Sequence, residues 1–261
     1  MLRTVHAVRY VLPFREGGSV PALVEADDLG HYVVKLRGAS QGAKALVAEL
    51  VAGELARAVG LPVPEIVLVD LPRELAASEP DPELCLPLEA SVGLNVGLDY
   101  LPGSITFDPL VTKIDAMAAS RIVLLDAFVM NVDRTPRNPN LLSWHSKTWL
   151  IDHGASLYFH HGWSPDDPLD GATDPFAEVK DHVLLLRASG LPEAADQLST
   201  AITDDVIANV VRSIPDDLLG PEQGFDDVTS HRAAYVAWLR QRVQTIPAIL
   251  EEAQRARALR V

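Results

Sequence analysis

One segment of the chain holds a carboxylate able to take a proton from a hydroxyl and two oxygen donors able to grip a hard divalent cation beside it. That segment, NVDRTPRNPNLLSWHSKTWLIDHG at residues 131–154, contains Asp133, Asn138 and Asp152. A magnesium–triphosphate complex requires oxygen ligands at nearly octahedral positions, carboxylates first and amide carbonyls beside them. A hydroxyl nucleophile requires a carboxylate that orients it and accepts its proton. On this reading Asp133 is the proton acceptor, and Asn138 and Asp152 are the metal ligands. An Asp followed five residues later by Asn is uninformative alone, because the chain repeats it at Asp126/Asn131 and Asp204/Asn209. Context separates the three pairs. Asp126 lies in the apolar stretch RIVLLDAFVM and reads as a paired structural group or an exposed one. Asp204 lies near a helix start and reads as capping chemistry. Only Asp133/Asn138 sits in a Pro-containing loop followed by an apolar strand, WLIDHG, that delivers a third oxygen donor.

Phosphate groups need cations and backbone N–H donors. Lys35 ends HYVVK, a strand whose alternation turns one long cation inward, and the helix that follows offers Glu49 or Glu54 as its partner. Those two glutamates are five residues apart, about 140° around a helix, so only one can face the lysine. Upstream, REGGSVP at 15–21 brings Gly17, Gly18 and Ser19 together, a turn whose N–H groups can face phosphate oxygens.

Several elements must hold these groups. Residues 20–26 and 31–36 read as strands joined in a hairpin through DDLG, where Gly30 is expected to take the positive φ. SQGAKALVAELVAGELARAVG reads as a helix capped by Ser40 and stopped by Gly60 and Pro62. A strand is expected over 65–71 and a surface loop over 72–84. Residues 91–104, broken by Pro102 and Gly103, read as a crossing between two lobes. A helix over 110–131, short strands near 140–142 and 148–151, and mostly helices to the end complete the plan, with Pro247 interrupting the last helix.

Composition bounds the function. Hydrophobic residues make up 48% of the 261, enough for a substantial core. With 36 Asp and Glu against 22 Lys and Arg, the net charge of −14 argues against nucleic-acid backbones and anionic membranes as partners. One cysteine, Cys85, excludes an intrachain disulfide and a cysteine-rich zinc site. Arg3, His6 and Arg9 break up the N-terminal stretch, and no apolar run is long enough to span a bilayer. The expectation is a soluble cytoplasmic protein.

The order of these features, from Gly-rich turn through strand Lys, helix Glu and crossing to a D-x-x-x-x-N loop and strand-D-x-G, resembles the protein-kinase-like arrangement. More narrowly, NVDRTPRNPNLL, WLIDHG and AELVAGELARAVGLPVPE resemble the HipA-like kinases, which are related to the phosphoinositide kinases. The likeness covers roughly residues 15–160. It implies an α+β bilobal protein-kinase-like fold, with a small antiparallel-sheet-plus-helix N-lobe over 1–101 and a larger, mainly helical C-lobe over 102–261. It also implies ATP and Mg2+ as nucleotide and metal, with a hydroxyl-bearing protein or small molecule as acceptor. Lys35 and Glu49 would form an ion pair and Asp133 would be catalytic. Asn138 and Asp152 would bind magnesium, and Asp99, Tyr100 and Leu101 would form the hinge touching adenine. Two other readings stand beside it. A non-catalytic nucleotide-binding scaffold would suit the irregular glycine spacing, and a metal-dependent hydrolase would use Asp133, Asp152 and His153 or His160.

Overall fold

The computed structural model describes residues 2–14, 21–39, 42–76, 82–163, 166–220 and 225–260. Five strands of the N-terminal half close into a barrel. They are β1 (Thr4–Pro13), β2 (Ala22–Ala26), β3 (His31–Lys35), β4 (Ile66–Leu71) and β5 (Gly93–Asp99), in the order β1-β2-β3-β5-β4. Neighbours are antiparallel except where β1 meets β4, and that parallel seam closes the cylinder and removes both sheet edges. Val5, Val24, Val34, Val67 and Val69 fill the interior with Tyr32. Gly97 is needed there, since a Cβ at that position would lie 2.7 Å from Val69 Cγ2.

Helix α1 (Gly42–Ala58) leaves the barrel after β3. It is apolar on nearly every side, and Leu46 to Gly53 are buried without a break. Such a helix needs cover all round. Its buried residues share one continuous core with the C-terminal half, while the barrel interior forms a separate smaller core. Short helices α2 (Arg73–Ala76) and α3 (Pro82–Glu89) follow β4. Past β5 come β6 (Ile105–Thr106), α4 (Ala116–Phe128) and a hairpin of β7 (Leu141–Trp144) and β8 (Lys147–Leu150). His145 and Ser146 both take positive φ (47° and 62°) at its two-residue turn, the geometry whose twist suits a hairpin. Three 3-10 turns lead to α5 (Leu191–Ala201), α6 (Asp204–Arg212), α7 (Asp216–Leu219) and α8 (Val228–Ala258). Among the described residues no helix is long and apolar enough to cross a membrane.

Several sequence expectations change. Residues 91–104, expected as a crossing, contain the central barrel strand β5, and β1 was not anticipated because charged residues interrupt its apolar pattern. Helices α2 and α3 occupy part of the 72–84 loop, and the helix expected from 110 starts at Ala116, capped by Asp115. Leu29, not Gly30, adopts the positive φ in the β2–β3 hairpin. Thr203 rather than Asp204 caps α6, with Asp204 in its first turn. Pro247 does not break α8, which continues through it with the proline on the exposed face. The Ser40 cap lies outside the described residues.

Helix α8 is nailed to the rest by Arg242. Its buried guanidinium donates to Phe128 O (2.9 Å), Ala127 O (2.7 Å), Ala172 O and Asp174 O, joining the end of α4 to the 172–174 segment. Burial lowers the guanidinium pKa to about 10, with Asp174 opposing the shift. Removing it strands buried carbonyls, each costing about 1–3 kcal/mol. Arg242→Ala is therefore expected to lose roughly 3 kcal/mol or more in urea unfolding, and Arg242→Lys to recover less than half of that.

Candidate active site

Lys35 closes β3 with its side chain turned inward, 10% exposed. Its Nζ lies 2.5 Å from Glu49 Oε2 and also donates to Asp152 Oδ1. One ammonium thus joins the barrel, α1 and the segment after β8. Of the two candidate glutamates, Glu49 is fully buried and meets the lysine, whereas Glu54 pairs with Arg57 at 2.6 Å. Glu49 gains a second partner that sequence reasoning missed. The His153 backbone N–H donates to Oε2 at 2.8 Å, and its ring Nδ1 lies 3.4 Å from Oε1. Burial pushes the Glu49 carboxyl pKa up, but Lys35 and then His153 more than reverse it and hold it at about 2. Burial likewise opposes the Lys35 charge, and Glu49 and Asp152 overcome it, so the lysine pKa is raised.

Asp152 has φ 56°, a conformation that is strained for a residue with a side chain and persists only when the surroundings impose it. Gly154 permits the close approach, because a Cβ there would sit 3.3 Å from Lys35 Nζ. Across the loop, Asn138 Nδ2 donates to Asp133 Oδ2 at 2.7 Å, and Asn140 Nδ2 reaches the same oxygen at 3.3 Å. Asn138 is exposed and commits its amide nitrogen to Asp133, so its side-chain oxygen is the atom it could offer a cation. Burial raises the Asp133 pKa and the charge of Asp152 adds to that, against the bonds from Asn140 and Asn138.

Beneath the loop lies a polar network built on the pair judged uninformative in the sequence. Asp126, fully buried in α4, accepts from Asn131 Nδ2 (3.0 Å), Arg134 Nε (2.5 Å) and His182 Nε2 (2.9 Å). The Leu184 N–H donates to His182 Nδ1, which leaves the ring proton on Nε2, facing Asp126. Burial would raise the Asp126 pKa, but Arg134 and then His182 hold it well below the usual carboxylate range. Arg134 also donates to Asn140 O and, at 3.3 Å, to Ile151 O. The sequence signal available was an Asp inside an apolar helix with an Asn five residues on and an Arg eight on.

The remaining candidates fall as follows. Asp99 ends β5, and Asp99 and Tyr100 are exposed while Leu101 is buried. This strap is stitched to both halves: the Tyr100 N–H donates to His31 O, and Trp144 Nε1 to Pro102 O. Burial, then Glu65, raises the Asp99 pKa. Gly17, Gly18 and Ser19 lie outside the described residues. Among the described residues no three His, Cys, Asp or Glu side chains converge as metal ligands. His153 and His160 are both buried, with Nδ1 turned to Glu49 and to Tyr235 OH (3.0 Å), and neither joins a ligand cluster with Asp133 or Asp152 of the kind the hydrolase reading needs.

The depressed Glu49 pKa ties the cleft to acid stability. Its unfolded value is 4.5 and its folded value about 2, so its contribution is full above pH 4.5 and is lost as pH falls toward 2. Wild type and Glu49→Gln are expected to differ by on the order of 3 kcal/mol in urea unfolding at pH 7, a gap that narrows progressively below pH 4.5. A gap that stays constant down to pH 3 contradicts the buried pairing.

Solved structures share this architecture. The Helicobacter pylori proinflammatory kinase CtkA aligns over 100% of this chain and 99% of its own, with TM-score 0.61 and 12% identity. A Golgi casein kinase with Mn/ADP bound aligns over 100% and 75%, with TM-score 0.50 and 13% identity. At such identities the likeness establishes the fold, an α+β bilobal protein-kinase-like one. No curated protein matches the sequence. The sequence profile of the HipA-like kinases matches residues 8–167, which include Lys35, Glu49, Asp133, Asn138 and Asp152. By that match, over more than half of its length, the chain belongs to the HipA-like kinase family.

Proposed function

We propose that the chain transfers the γ-phosphate of ATP to a hydroxyl acceptor in a magnesium-dependent reaction, within a cleft between an N-lobe (1–101) and a C-lobe (102–261). The observation that carries this reading is the meeting of Lys35, Glu49 and Asp152 opposite the Asp133–Asn138 pair. The donor set suits a hard cation: a carboxylate from Asp152 and an amide oxygen from Asn138. A bound magnesium ion would neutralise phosphate charge during transfer. Lys35, released from Asp152, holds phosphate oxygens while Glu49 keeps its ammonium aimed into the cleft. Asp133, with Asn138 and Asn140 bonded to one carboxylate oxygen, orients the acceptor hydroxyl and takes its proton. Asp99, Tyr100 and Leu101 would touch adenine, and the sequence assigns the phosphates to the N–H groups of Gly17, Gly18 and Ser19, which lie outside the described residues. Binding of Mn/ADP by the Golgi casein kinase supports a nucleotide and a divalent cation as ligands of this fold.

Saturating ATP with magnesium, at about 100 times Kd, is expected to stabilise the protein by about 2.7 kcal/mol, an increase of several degrees in melting temperature. ATP without a divalent cation is expected to give much less. In a phosphotransfer assay Asp133→Ala should lower kcat by about 10²–10⁴. Unchanged transfer by that variant rules out Asp133 as the base. Magnesium-dependent binding without any transfer by wild type, across protein and small-molecule acceptors, favours the scaffold reading instead.

A further inference from the structure

The candidate metal ligands sit on two separate arms. Asn138 belongs to the loop that ends in β7, and Asp152 to the turn that leaves β8. The β7–β8 ladder ends at Leu141 and Leu150, so it covers neither ligand. Beyond it a single backbone bond, from the Ile151 N–H to Asn140 O, joins the arms. Asn140 and Asp152 both hold positive φ there (48° and 56°), so each arm turns out of the ladder's regular path near its ligand.

One side chain crosses that gap. The Arg134 guanidinium, with its side chain wholly buried, donates to Asn140 O on the first arm and Ile151 O on the second. These carbonyls lie two residues after Asn138 and one before Asp152. Its Nε is gripped by Asp126, which Asn131 and His182 hold from other directions. Its own carbonyl accepts from the Val183 N–H at 3.0 Å, so its backbone is pinned as well. Arg134 is also the neighbour of Asp133. With Nε fixed on Asp126, the rigid guanidinium holds Nη1 where its two N–H bonds meet both carbonyls; a lysine, with one point-like ammonium, cannot reach all three acceptors in that geometry.

We propose that Arg134 is a positioning residue that sets the spacing between the Asn138 and Asp152 arms, and thereby the strength with which the cleft holds its divalent cation. The proposal rests on the reading of Asn138 and Asp152 as metal ligands. Outer-shell partners that orient ligands typically change metal affinity or activity by about 10–100-fold when altered.

The test measures phosphotransfer or ATP hydrolysis against free magnesium at saturating ATP, at a temperature well below melting. Arg134→Lys is expected to raise the half-activating magnesium concentration about 10-fold or more and to lower kcat. Metal-free binding of a fluorescent ATP analogue should stay within about threefold of wild type. Arg242→Lys, whose bonds go to Ala127, Phe128, Ala172 and Asp174 and so to neither arm, serves as the stability control: it should lower the melting temperature without moving the magnesium curve. If Arg134→Lys does not fold at 4 °C, His182→Gln decides. It frees one side of Asp126 and lets the guanidinium turn, and a threefold or greater rise in half-activating magnesium is expected. A folded Arg134→Lys with an unmoved magnesium curve overturns the proposal, as does an equal shift in Arg242→Lys, or an unmoved curve for His182→Gln where that variant decides. A wild type that shows no magnesium-dependent nucleotide chemistry overturns the kinase reading itself, and the Arg134 assignment with it.

Discussion

The arrangement of the cleft depends on one constraint: a carboxylate cannot be taken out of water without partners. Glu49 is completely buried at the junction of the barrel and the C-terminal half, where an unpaired charge would cost several kcal/mol. Lys35 and the His153 N–H supply the compensation, one from the barrel and one from the turn beyond β8. Folding to bury α1 therefore brings three distant parts of the chain to one point. Lys35, through its bond to Asp152, extends the link to a residue held at positive φ beyond β8.

The same constraint recurs one layer below. Asp126 and Arg242 are both buried charges: loop residues satisfy the first, and the end of α4 with the 172–174 segment satisfies the second. Arg134 and His182 answer Asp126, while four backbone carbonyls surround Arg242. Where a sheet would hold a segment by its ladder, here side-chain charges hold it by its carbonyls. This permits the loop its turns at Met130, Asn140, Asp152 and Leu157, all at positive φ without glycine. Such conformations endure when their surroundings over-determine them. The apolar core works alongside: α1 is covered on nearly all sides, so its angle, and with it the position of Glu49, follows from packing against both halves.

Much of the candidate site was legible because the groups that could carry its chemistry are residue types at fixed sequence positions. Asp133, Asn138 and Asp152 stood out through their loop-and-strand context, and Lys35 through the alternation of β3. The choice between Glu49 and Glu54 could not be made from helix geometry alone. Both lie on α1, and only the placement of α1 against Lys35 separates a buried partner from one bound to Arg57. Strand β5 was concealed by its glycines and Asn95, which read as a crossing. Its pairing with β3 and β4 gives it a place in the barrel that local propensity does not reveal. Pro247 misled in the opposite direction, since a proline on the solvent face of a helix already held by packing need not end it.

The sequence by itself determined which chemical groups are available, the order in which they arrive, and the family to which the chain belongs. Those follow from residue identity and spacing, which the chain carries without folding. Only the tertiary structure decided that Asp126 and Asn131 underpin the loop, that Arg134 spans the two arms, and that His153 serves Glu49. Each of these depends on which charges are cut off from water together, and burial is a property of the whole packed molecule, not of any local stretch.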